Sequence, residues 1–465
     1  MNKIFNLNKL KKIHLVGIKG VAMTALAEIL TDSGIHVSGS DSQDVFFTDE
    51  QLKNKKIQVY ENFLSSNLKP DCDLVVYSTA YNQDNPIIQK ALTLKIPSIN
   101  YAEFIAQLFN RKHGIAVCGT HGKTTTTGMI AHILAKAGLS PTAIVGSRVN
   151  NWKTSSLTGS SDFFVLEADE YQNKFQYLKP KLVILTNVDY DHPDFFKNQE
   201  HYQQTFLNFL KSIPKKGYLI YNKSDKVSYT LSKKINCQKV SFSYNWKQSA
   251  IYQVKSRTTN QTKTLQVIKF KGPDQQNFTL KIRLFGRHNA LNALAAIAAA
   301  KVLKIDEQTA CSYLISFKSS QRRFQYMGIF KDTKLFDDYA HHPNEIMATY
   351  ESARERFPEQ EIIVAFHPHT FTRTKSLFQE FVHALSGIDQ VYIIDIYGSA
   401  REKPGKIKVH SQDLVNAINR NNGQAYYCKN MQKLAQKVRK KSKPNQIFIT
   451  MGAGDIWKVH AMIKK

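Results

Sequence analysis

The sequence predicts an α/β protein built from three domains. Its 465 residues exceed one ordinary core, because domains usually hold roughly 100 to 200 residues. Apolar strand-like stretches alternate with helical ones along most of the chain, a pattern that favours parallel sheets. Glycine turns follow three of these stretches, at 17–20, 119–122 and 452–455. We therefore expect domains at 1–110, 111–320 and 321–465.

The composition is that of a globular protein with an excess of positive charge. Hydrophobic residues make up 42% of the chain, and the formal net charge is +27. Such a charge attracts anions, but the lysines are spread along the chain, which is typical of a solvated surface. Five scattered cysteines without a C-x-x-C pair indicate free thiols in a reducing compartment. With neither a leader nor an apolar span evident, we expect a soluble, cytoplasmic protein with no membrane partner.

The first domain begins with the apolar strand and glycine turn KIHLVGIKG, followed by a helix. Gly17, Gly20 and Ala22 approximate a dinucleotide-binding turn with altered spacing. The next strand ends on Ser40 and Asp41, about where such domains place an acidic residue on a ribose. These residues predict a Rossmann-like domain that binds a nucleotide; the same fold without a ligand is the alternative.

The central domain is predicted around IAVCGTHGKTTTTGMI, which reads as a strand, a glycine turn and a helix. Gly119 and Gly122 let backbone N–H groups face phosphate oxygens, and the helix adds its positive end. Lys123 would reach the β- and γ-phosphates, and Thr124 would offer its hydroxyl to Mg²⁺. Val117 replaces the first glycine of the usual phosphate loop, so a tight turn with a solvated lysine is the alternative. The predicted nucleotide-binding turn comprises Gly119, Thr120, His121, Gly122, Lys123, Thr124 and Thr125.

Acidic residues follow the next two predicted strands. One strand is followed by Glu167, Asp169 and Glu170, and the other by Asp189, Asp191 and His192. Because the carboxyl ends of parallel strands meet at one edge, these side chains can converge beside the phosphate loop and bind Mg²⁺. Each cluster alone is more typical of a solvated loop. Together they predict a P-loop ATPase-type domain with a metal site.

The remainder of the central domain carries less chemistry. Residues 212–279 are polar, rich in Lys, Gln and Thr, and alternate at period two in places, so we predict antiparallel outlying strands. An alanine-rich helix follows and places Asn289 and Asn292 on one face. An amide can pair with the edge of adenine, although helix capping is an equal alternative for Asn289.

The third region begins near Arg322 and Arg323 and again alternates strands with helices, which predicts a second Rossmann-like domain. Its histidines do not have the spacing of a zinc site, so hydrogen bonding to substrate or packing is favoured for them. These histidines are His341, His342, His367 and His369.

Taken together, the motifs resemble the Mur ligases of peptidoglycan synthesis. The similarity is carried, in order, by GTHGKTTT, EADEY, TNVDYDHPD, GRHNALNALAA, RRF, DDYAHHP, FHPHTFTRT and GAGDI. It implies an N-terminal domain for the UDP-sugar, a central domain for ATP, and a C-terminal domain for the amino acid. The implied reaction joins L-alanine to the lactyl carboxylate of UDP-N-acetylmuramate through an acyl phosphate, with ATP and Mg²⁺ as cofactors.

The resemblance also implies roles for individual residues. The implied catalytic residues are Lys123, His192 and Arg323, and the implied metal ligands are Thr124, Glu167 and His192. Asn292, Arg323 and Asp338 would contact the adenine, phosphate and ribose of ATP. The implied substrate-binding residues are Gly17, Gly20, Ser40, Asp41, Ser78 and Thr79 for UDP, and His369 and Arg373 for the amino acid.

Three alternatives remain open from the sequence. A ligase of the same family could add another amino acid or a preformed peptide, because only FHPHTFTRT and DDYAHHP bear on that choice. A basic P-loop ATPase acting on nucleic acid would need cations clustered along one groove, so we expect no nucleic-acid partner. A nucleotide-binding protein without catalysis is disfavoured because the lysine, metal ligands and arginine are all present. We expect a monomer or weak homodimer.

Overall fold

The structure, a computed structural model, describes residues 5, 9–244, 249–260, 264–398, 402 and 407–465. Its strands form three separate sheets of five, ten and six strands. The sheets fall on either side of the boundaries expected at 110 and 320, which remain predictions. No helix within these residues is long and apolar enough to cross a membrane.

The first sheet is entirely parallel, with strand order β3-β2-β1-β4-β5. The order reverses beside β1, which leaves a crevice at the carboxyl edge where ligands bind in such sheets. Its strands are β1 (Lys12–Val16), β2 (His36–Ser40), β3 (Gln58–Tyr60), β4 (Leu74–Tyr77) and β5 (Ser98–Asn100). Its helices are α1 (Val21–Asp32), α2 (Asp49–Asn54), α3 (Pro86–Thr93) and α4 (Tyr101–Phe109).

The second sheet has the order β15-β14-β13-β12-β11-β10-β6-β9-β7-β8. Its strands are β6 (His113–Cys118), β7 (Thr142–Val149), β8 (Thr154–Leu157), β9 (Phe163–Glu167), β10 (Leu182–Leu185), β11 (Tyr218–Asn222), β12 (Gln238–Ser243), β13 (Tyr252–Thr259), β14 (Gln266–Lys271) and β15 (Asn277–Ile282). Its helices are α5 (Lys123–Lys136), α6 (Gln199–Leu210), α7 (Lys226–Ser232), α8 (Arg287–Val302) and α9 (Glu307–Leu314).

The prediction for residues 212–279 was wrong in part. Only β13, β14 and β15 pair antiparallel, whereas β11 and β12 extend the parallel sheet. The connection between β11 and β12 runs through α7, and a helical crossover returns the chain in the same direction. The alternation of polar and apolar residues reports which face is solvated, and it does not report strand direction.

The third sheet has the order β16-β17-β21-β18-β19-β20 and is parallel except for β16. Its strands are β16 (Gln325–Phe330), β17 (Thr333–Asp338), β18 (Ile362–Phe366), β19 (Gln390–Ile394), β20 (Ala425–Cys428) and β21 (Ile447–Met451). Its helices are α10 (Pro343–Arg356), α11 (Phe371–Ser376), α12 (Phe378–Ser386), α13 (Ser411–Arg420), α14 (Met431–Lys441) and α15 (Val459–Lys464).

Helix α8 shows how the central core positions the phosphate loop. The helix is rich in alanine and is buried on nearly all sides, so it can approach α5 closely. That approach brings Asn292 against the loop: a Cβ added to Gly122 would lie 2.4 Å from the Asn292 Oδ1 atom. Any side chain larger than that of glycine at position 122 would therefore push the phosphate loop away from α8.

Candidate active site

A cavity of 890 Å³ lies where the three domains meet. Gly20 and Ser78 from the first domain, Lys123 and Glu167 from the second, and His369 from the third are among the residues that line it. A second cavity of 390 Å³ adjoins the other side of the phosphate loop. Ligands bound in the two cavities would therefore meet at this loop.

The phosphate loop is tightly packed on its inner side. A Cβ at Gly119, whose φ is +135°, would lie 2.1 Å from the Thr186 hydroxyl, and Gly122 has a φ of +80°. Both positions therefore require glycine. Lys123 is the first residue of α5, where the N–H groups have no intrahelical acceptor. The loop thus offers donors and a positive helix end to an anion.

The ammonium of Lys123 is held by the loop and by a carboxylate. Its Nζ atom donates to the carbonyl of Gly119 at 2.5 Å and to Glu170 Oε2 at 2.9 Å. Burial alone would lower the pKa of Lys123, but the charges of Glu170 and Asp169 raise it above its ordinary value. The lysine therefore stays charged and suits phosphate oxygens.

The predicted magnesium ligands Thr124 and Glu167 are in contact. Thr124 donates its hydroxyl to Glu167 Oε1 at 2.8 Å, and the Gly146 N–H donates to Glu167 Oε2 at 2.5 Å. Burial raises the pKa of Glu167, so a nearby cation would stabilise its charged form. His192 lines the same cavity, with Nε2 3.8 Å from Glu170 Oε1. This donor set of oxygens and one imidazole fits Mg²⁺.

Another cluster resembles a metal site but is a hydrogen-bond network. Ring and carboxylate atoms of His121, Asp189 and His342 lie within 4.8 Å of one another. Both ring nitrogens of His121 already face carboxylates, Asp189 at 3.1 Å and Glu345 at 3.1 Å. The Nδ1 atom of His342 accepts the N–H of Asn344, so it has no lone pair for a cation.

The hydrogen bonds of this network favour the protonated, positively charged form of His121. Burial disfavours the imidazolium, but hydrogen bonds to Asp189 and Glu345 outweigh it and raise the pKa of His121 to about 9. Because Glu345 belongs to α10, the protonated ring connects the phosphate loop to the third domain.

Arg323 connects the same two domains on the other side of the loop. Its Nη2 atom lies 3.4 Å from the Thr124 hydroxyl, and the described residues offer no hydrogen-bond partner to its buried Nε. An unsatisfied guanidinium N–H beside the phosphate loop fits a bound phosphate. Arg323, Asn292 and Asp338 all line the 390 Å³ cavity, as expected for residues around one nucleotide.

The carboxylate of Asp338 also has a structural task. It accepts the N–H groups of Phe324 at 2.7 Å and Ala340 at 2.8 Å, which shapes the segment after Arg323. Burial raises the pKa of Asp338 to about 6. A contact with ribose remains a prediction.

Some of the residues predicted to bind UDP line the cavity, and others are buried in the core of the first domain. Gly20, Ser78 and Thr79 line the 890 Å³ cavity, and the N–H of Gly17 donates to the Ser40 carbonyl at 2.8 Å. Ser40 itself is buried, and its hydroxyl contacts His14 Nε2 at 3.1 Å.

Asp41 is buried as well. One oxygen accepts the N–H of Lys19 at 2.7 Å, and the other accepts the hydroxyl of Tyr81 at 3.2 Å. The structure thus places Ser40 and Asp41 beneath the glycine turn, where they support it.

The two predicted amino-acid contacts also differ in position. His369 lines the cavity and stacks on Tyr397 at 5.4 Å, and burial lowers its pKa to about 3, so the ring is neutral. Arg373 is buried and forms a bidentate pair with Asp191 at 2.8 and 3.1 Å. The structure therefore does not bring the Arg373 guanidinium into the cavity.

Three side chains around the phosphate loop make contacts that the sequence did not predict. Glu170 was recognised only as one acidic residue among several, although its position after a strand that ends beside the phosphate loop was a usable signal. Glu345 and Asp189 act through His121, and the separation of 224 residues between His121 and Glu345 leaves no local signal for that contact.

The fold and the site together define a three-domain enzyme that handles nucleotide phosphates in an interdomain cleft. Family comparisons agree with this description. Three family models match in succession: the Mur ligase family catalytic domain over 12–113, the Mur ligase middle domain over 117–300, and the Mur ligase glutamate ligase domain over 322–454. The chain belongs to the Mur ligase family, and it is an ATP-dependent ligase of peptidoglycan synthesis.

Individual relatives match along nearly the whole chain. The UDP-N-acetylmuramate–L-alanine ligase of Acetivibrio thermocellus is 38% identical, covering 99% of this chain and 97% of the relative. That of Aquifex aeolicus is 36% identical, covering 97% and 96%. Among solved structures, the UDP-N-acetylmuramate-alanine ligase MurC of Thermotoga maritima has a TM-score of 0.82 at 26% identity, covering 97% and 98%.

Proposed function

We propose that this protein joins L-alanine to the lactyl carboxylate of UDP-N-acetylmuramate, with ATP supplying the energy through an acyl phosphate. The observation that carries the proposal is the 890 Å³ cavity, because the glycine turn of the first domain, Lys123 and His369 all line it. A nucleotide sugar, a γ-phosphate and an amino acid can therefore meet in one space. The relatives of this name, which match nearly the full length, support the same reaction.

The charges around the cavity suit the activation step. A carboxylate is a poor electrophile until one oxygen becomes part of a good leaving group, and bringing it to a phosphate places two anions together. Lys123 and Arg323 would offset that repulsion at the transferred phosphoryl group. Thr124, Glu167 and His192 would hold Mg²⁺, which neutralises phosphate charge when bound.

The third domain suits the attacking amine. Burial lowers the pKa of His341 to about 4 and that of His369 to about 3, so both rings are neutral near pH 7. Both rings line the cavity. Neutral imidazoles can accept hydrogen bonds from an ammonium or amine, which would orient alanine toward the acyl phosphate. We propose hydrogen bonding as their role, because such low pKa values make poor bases.

The substrates and the five free cysteines support a cytoplasmic location, which we include in the proposal. The proposed partners are the two small-molecule substrates with ATP and Mg²⁺.

The decisive experiment measures phosphate release from ATP with UDP-N-acetylmuramate and one amine at a time. The amines are L-alanine, glycine, L-serine and a short peptide that begins with L-alanine. We expect release that requires both the sugar nucleotide and L-alanine. Release with the peptide alone would make the protein a peptide ligase of the same family. No release with any amine would refute the proposal.

A further inference from the structure

Strand β7 leaves its regular pairing with β8 beside the cavity. The pairing is regular up to Ile144 and resumes at Val149. Between these residues, 145–148 of β7 lie opposite only Ser155 of β8, so β7 carries extra residues and bends there. We name residues 145–148 the β7 bulge. Bulges re-aim a strand and are common next to active sites, and most of this one lines the 890 Å³ cavity.

The β7 bulge holds the proposed metal ligand Glu167. The N–H of Gly146 donates to Glu167 Oε2 at 2.5 Å, and a Cβ added to Gly146 would lie 2.7 Å from both carboxylate oxygens. The backbone of the bulge therefore approaches Glu167 so closely that only glycine fits. A shift of the bulge would move the carboxylate.

The bulge also holds the segment that leads to Arg323. The hydroxyl of Ser147 donates to the Gln321 carbonyl at 3.0 Å, and the N–H of Gln321 donates to the Arg148 carbonyl at 2.7 Å. Both backbone groups of Gln321 are thus bonded to the bulge, shortly before Arg323. One short segment therefore positions a proposed metal ligand and an arginine beside the phosphate loop.

The hairpin formed by β7 and β8 also packs against the first domain. Helix α1 contacts both strands. Ser156 of β8 donates its hydroxyl to Glu28 Oε2 of α1 at 2.6 Å, and both residues are buried. Elsewhere in this interface, the guanidinium of Arg148 pairs with Glu50 at 3.1 Å. The hairpin therefore joins the first domain to Glu167.

Glu28 is an unusual residue for such an interface. Its second carboxyl oxygen, Oε1, is buried and has no hydrogen-bond partner among the residues that the structure describes. Burial raises the pKa of Glu28 to about 7, so a large share of these carboxyl groups is protonated near neutral pH. An unsatisfied buried oxygen costs free energy, and an apolar residue would avoid that cost. Stability alone therefore does not explain the carboxyl group.

Helix α1 connects this contact to the proposed sugar-nucleotide site. Gly20 is the N-cap of α1 and lines the 890 Å³ cavity. Glu28 follows about two helical turns later. Because a helix of this length moves as a unit, a ligand that fixes the start of α1 also fixes Glu28.

We propose that the β7–β8 hairpin couples the occupancy of the first domain to the positions of Glu167 and Arg323, with Glu28 as the positioning residue. The two coupled states differ in whether the hydrogen bond between Glu28 and Ser156 is formed. When it is formed, the β7 bulge holds both charged groups where Mg²⁺ and phosphate bind. The proposal rests on the proposed function, because the ligand at α1 is the sugar nucleotide.

Calorimetry measures this coupling directly. Mg²⁺–ADP is titrated into the protein with and without saturating UDP-N-acetylmuramate, and ADP is used because it has no γ-phosphate to meet the lactyl carboxylate. We expect the wild type to bind Mg²⁺–ADP about 10-fold more tightly when the sugar nucleotide is present. In Glu28→Leu this factor should fall to about twofold or less. The affinity for each ligand alone should stay within about twofold of the wild-type value.

Two further variants change the same hydrogen bond. Glu28→Gln keeps an oxygen that can accept the Ser156 hydroxyl, so it should retain the coupling. Ser156→Ala removes the hydrogen bond with a smaller change in volume, which preserves the test if Glu28→Leu does not fold. It should lose the coupling to the same extent as Glu28→Leu, and the double variant should lose no more.

Glu307→Leu is the matched control for a loss of stability. Glu307 is a buried residue of α9 that accepts the hydroxyl of Tyr252 at 3.0 Å and lines neither cavity. This variant should lower the melting temperature, because it leaves buried polar groups without a partner. It should keep the wild-type coupling factor.

Gly146→Ala tests the other end of the hairpin without the sugar nucleotide. The added methyl group would displace the carboxylate of Glu167. We therefore expect the affinity for ADP to fall about 10-fold in the presence of Mg²⁺ and to stay within about twofold when EDTA removes the metal.

Four results would overturn the proposal. They are a wild-type coupling factor near one, an unchanged factor in Glu28→Leu and Ser156→Ala, an equal loss of coupling in Glu307→Leu, and equal effects of Gly146→Ala with and without Mg²⁺. The proposed function fails independently, through absence of ligation by the wild-type enzyme, whereas the coupling fails through these binding data while wild-type ligation persists.

Discussion

The two glycine turns of this protein look alike in sequence and use their lysines in opposite ways. Each turn follows the carboxyl end of a central parallel strand and precedes a helix. Lys123 begins α5, lines the cleft and pairs with Glu170 at 2.9 Å. Lys19 comes one residue before Gly20, the N-cap of α1, and its ammonium donates to the carbonyls of Ser42 and Asp44 in the segment after β2.

The difference shows that position relative to the helix start decides the role. A lysine at the first helical position lies beside the unsatisfied N–H groups and shares their attraction for phosphate. A lysine inside the turn is directed toward the segment after the neighbouring strand. It becomes a structural tie when carbonyl oxygens satisfy its donors.

The largest expected effect is the loss of turnover in Lys123→Met. We have proposed that Lys123 faces the transferred phosphoryl group, so removing this cation should lower kcat about 1000-fold, measured as phosphate release. Lys19→Met, by contrast, should leave kcat nearly unchanged. Comparable kcat losses in the two variants would contradict the distinction between the turns.

A paired variant controls for folding in that experiment. Glu170 has a side chain only 2% exposed, so Lys123→Met leaves a buried carboxylate without its partner and should destabilise the protein. Lys123→Met with Glu170→Gln removes that charge. It should recover the melting temperature and remain inactive.

Substitutions in the proposed metal site should have a smaller effect on activity. Glu167→Gln keeps the hydrogen bond from Thr124 possible but removes the negative charge, so the Mg²⁺ concentration for half-maximal activity should rise about 10-fold or more. Asp169→Asn is the matched control from the same loop. Its carboxylate pairs with Lys174 at 2.5 Å, so it should change the Mg²⁺ requirement little. An equal rise of this Mg²⁺ concentration in the two variants would show that Glu167 is not a metal ligand.

The stabilisation that His121 provides by connecting the phosphate loop to the third domain should depend on pH. The folded-state pKa of His121 is about 9, above its unfolded value near 6.5, so the stabilisation is complete below about pH 6.5. It is lost as the pH rises through about 9. The melting temperature should therefore fall by a few degrees over that window. His121→Asn should flatten this slope; an unchanged slope would mean that another group titrates.

The smallest effect is expected on the exposed face of β14 and β15. Lys269 and Lys281 are both exposed. Changing both to Gln should alter kcat and each KM by less than about twofold at physiological salt, because screened surface charges contribute little. A larger change would give this basic face a part in function.

The strand–turn–helix units were predicted correctly from sequence because their signals are local. Apolar stretches, glycine turns and helix starts determine β6, Gly119 and α5 within a few residues. The direction of β11 was predicted wrongly because strand direction depends on the path of the connection. The apolar residues of the strand report burial and are compatible with either direction.

In the candidate active site, too, local features were predictable from the sequence, whereas long-range contacts were not. The sequence alone determined that Lys123 and Thr124 stand at a helix start beside a phosphate-binding turn, since one continuous stretch builds that chemistry. Only the tertiary structure decided that Arg373 pairs with Asp191, 182 residues away, and that the donors of Lys19 are used within its own domain. A buried charge is stable only beside a partner that repays its desolvation. Which partner lies close enough is settled when the domains pack.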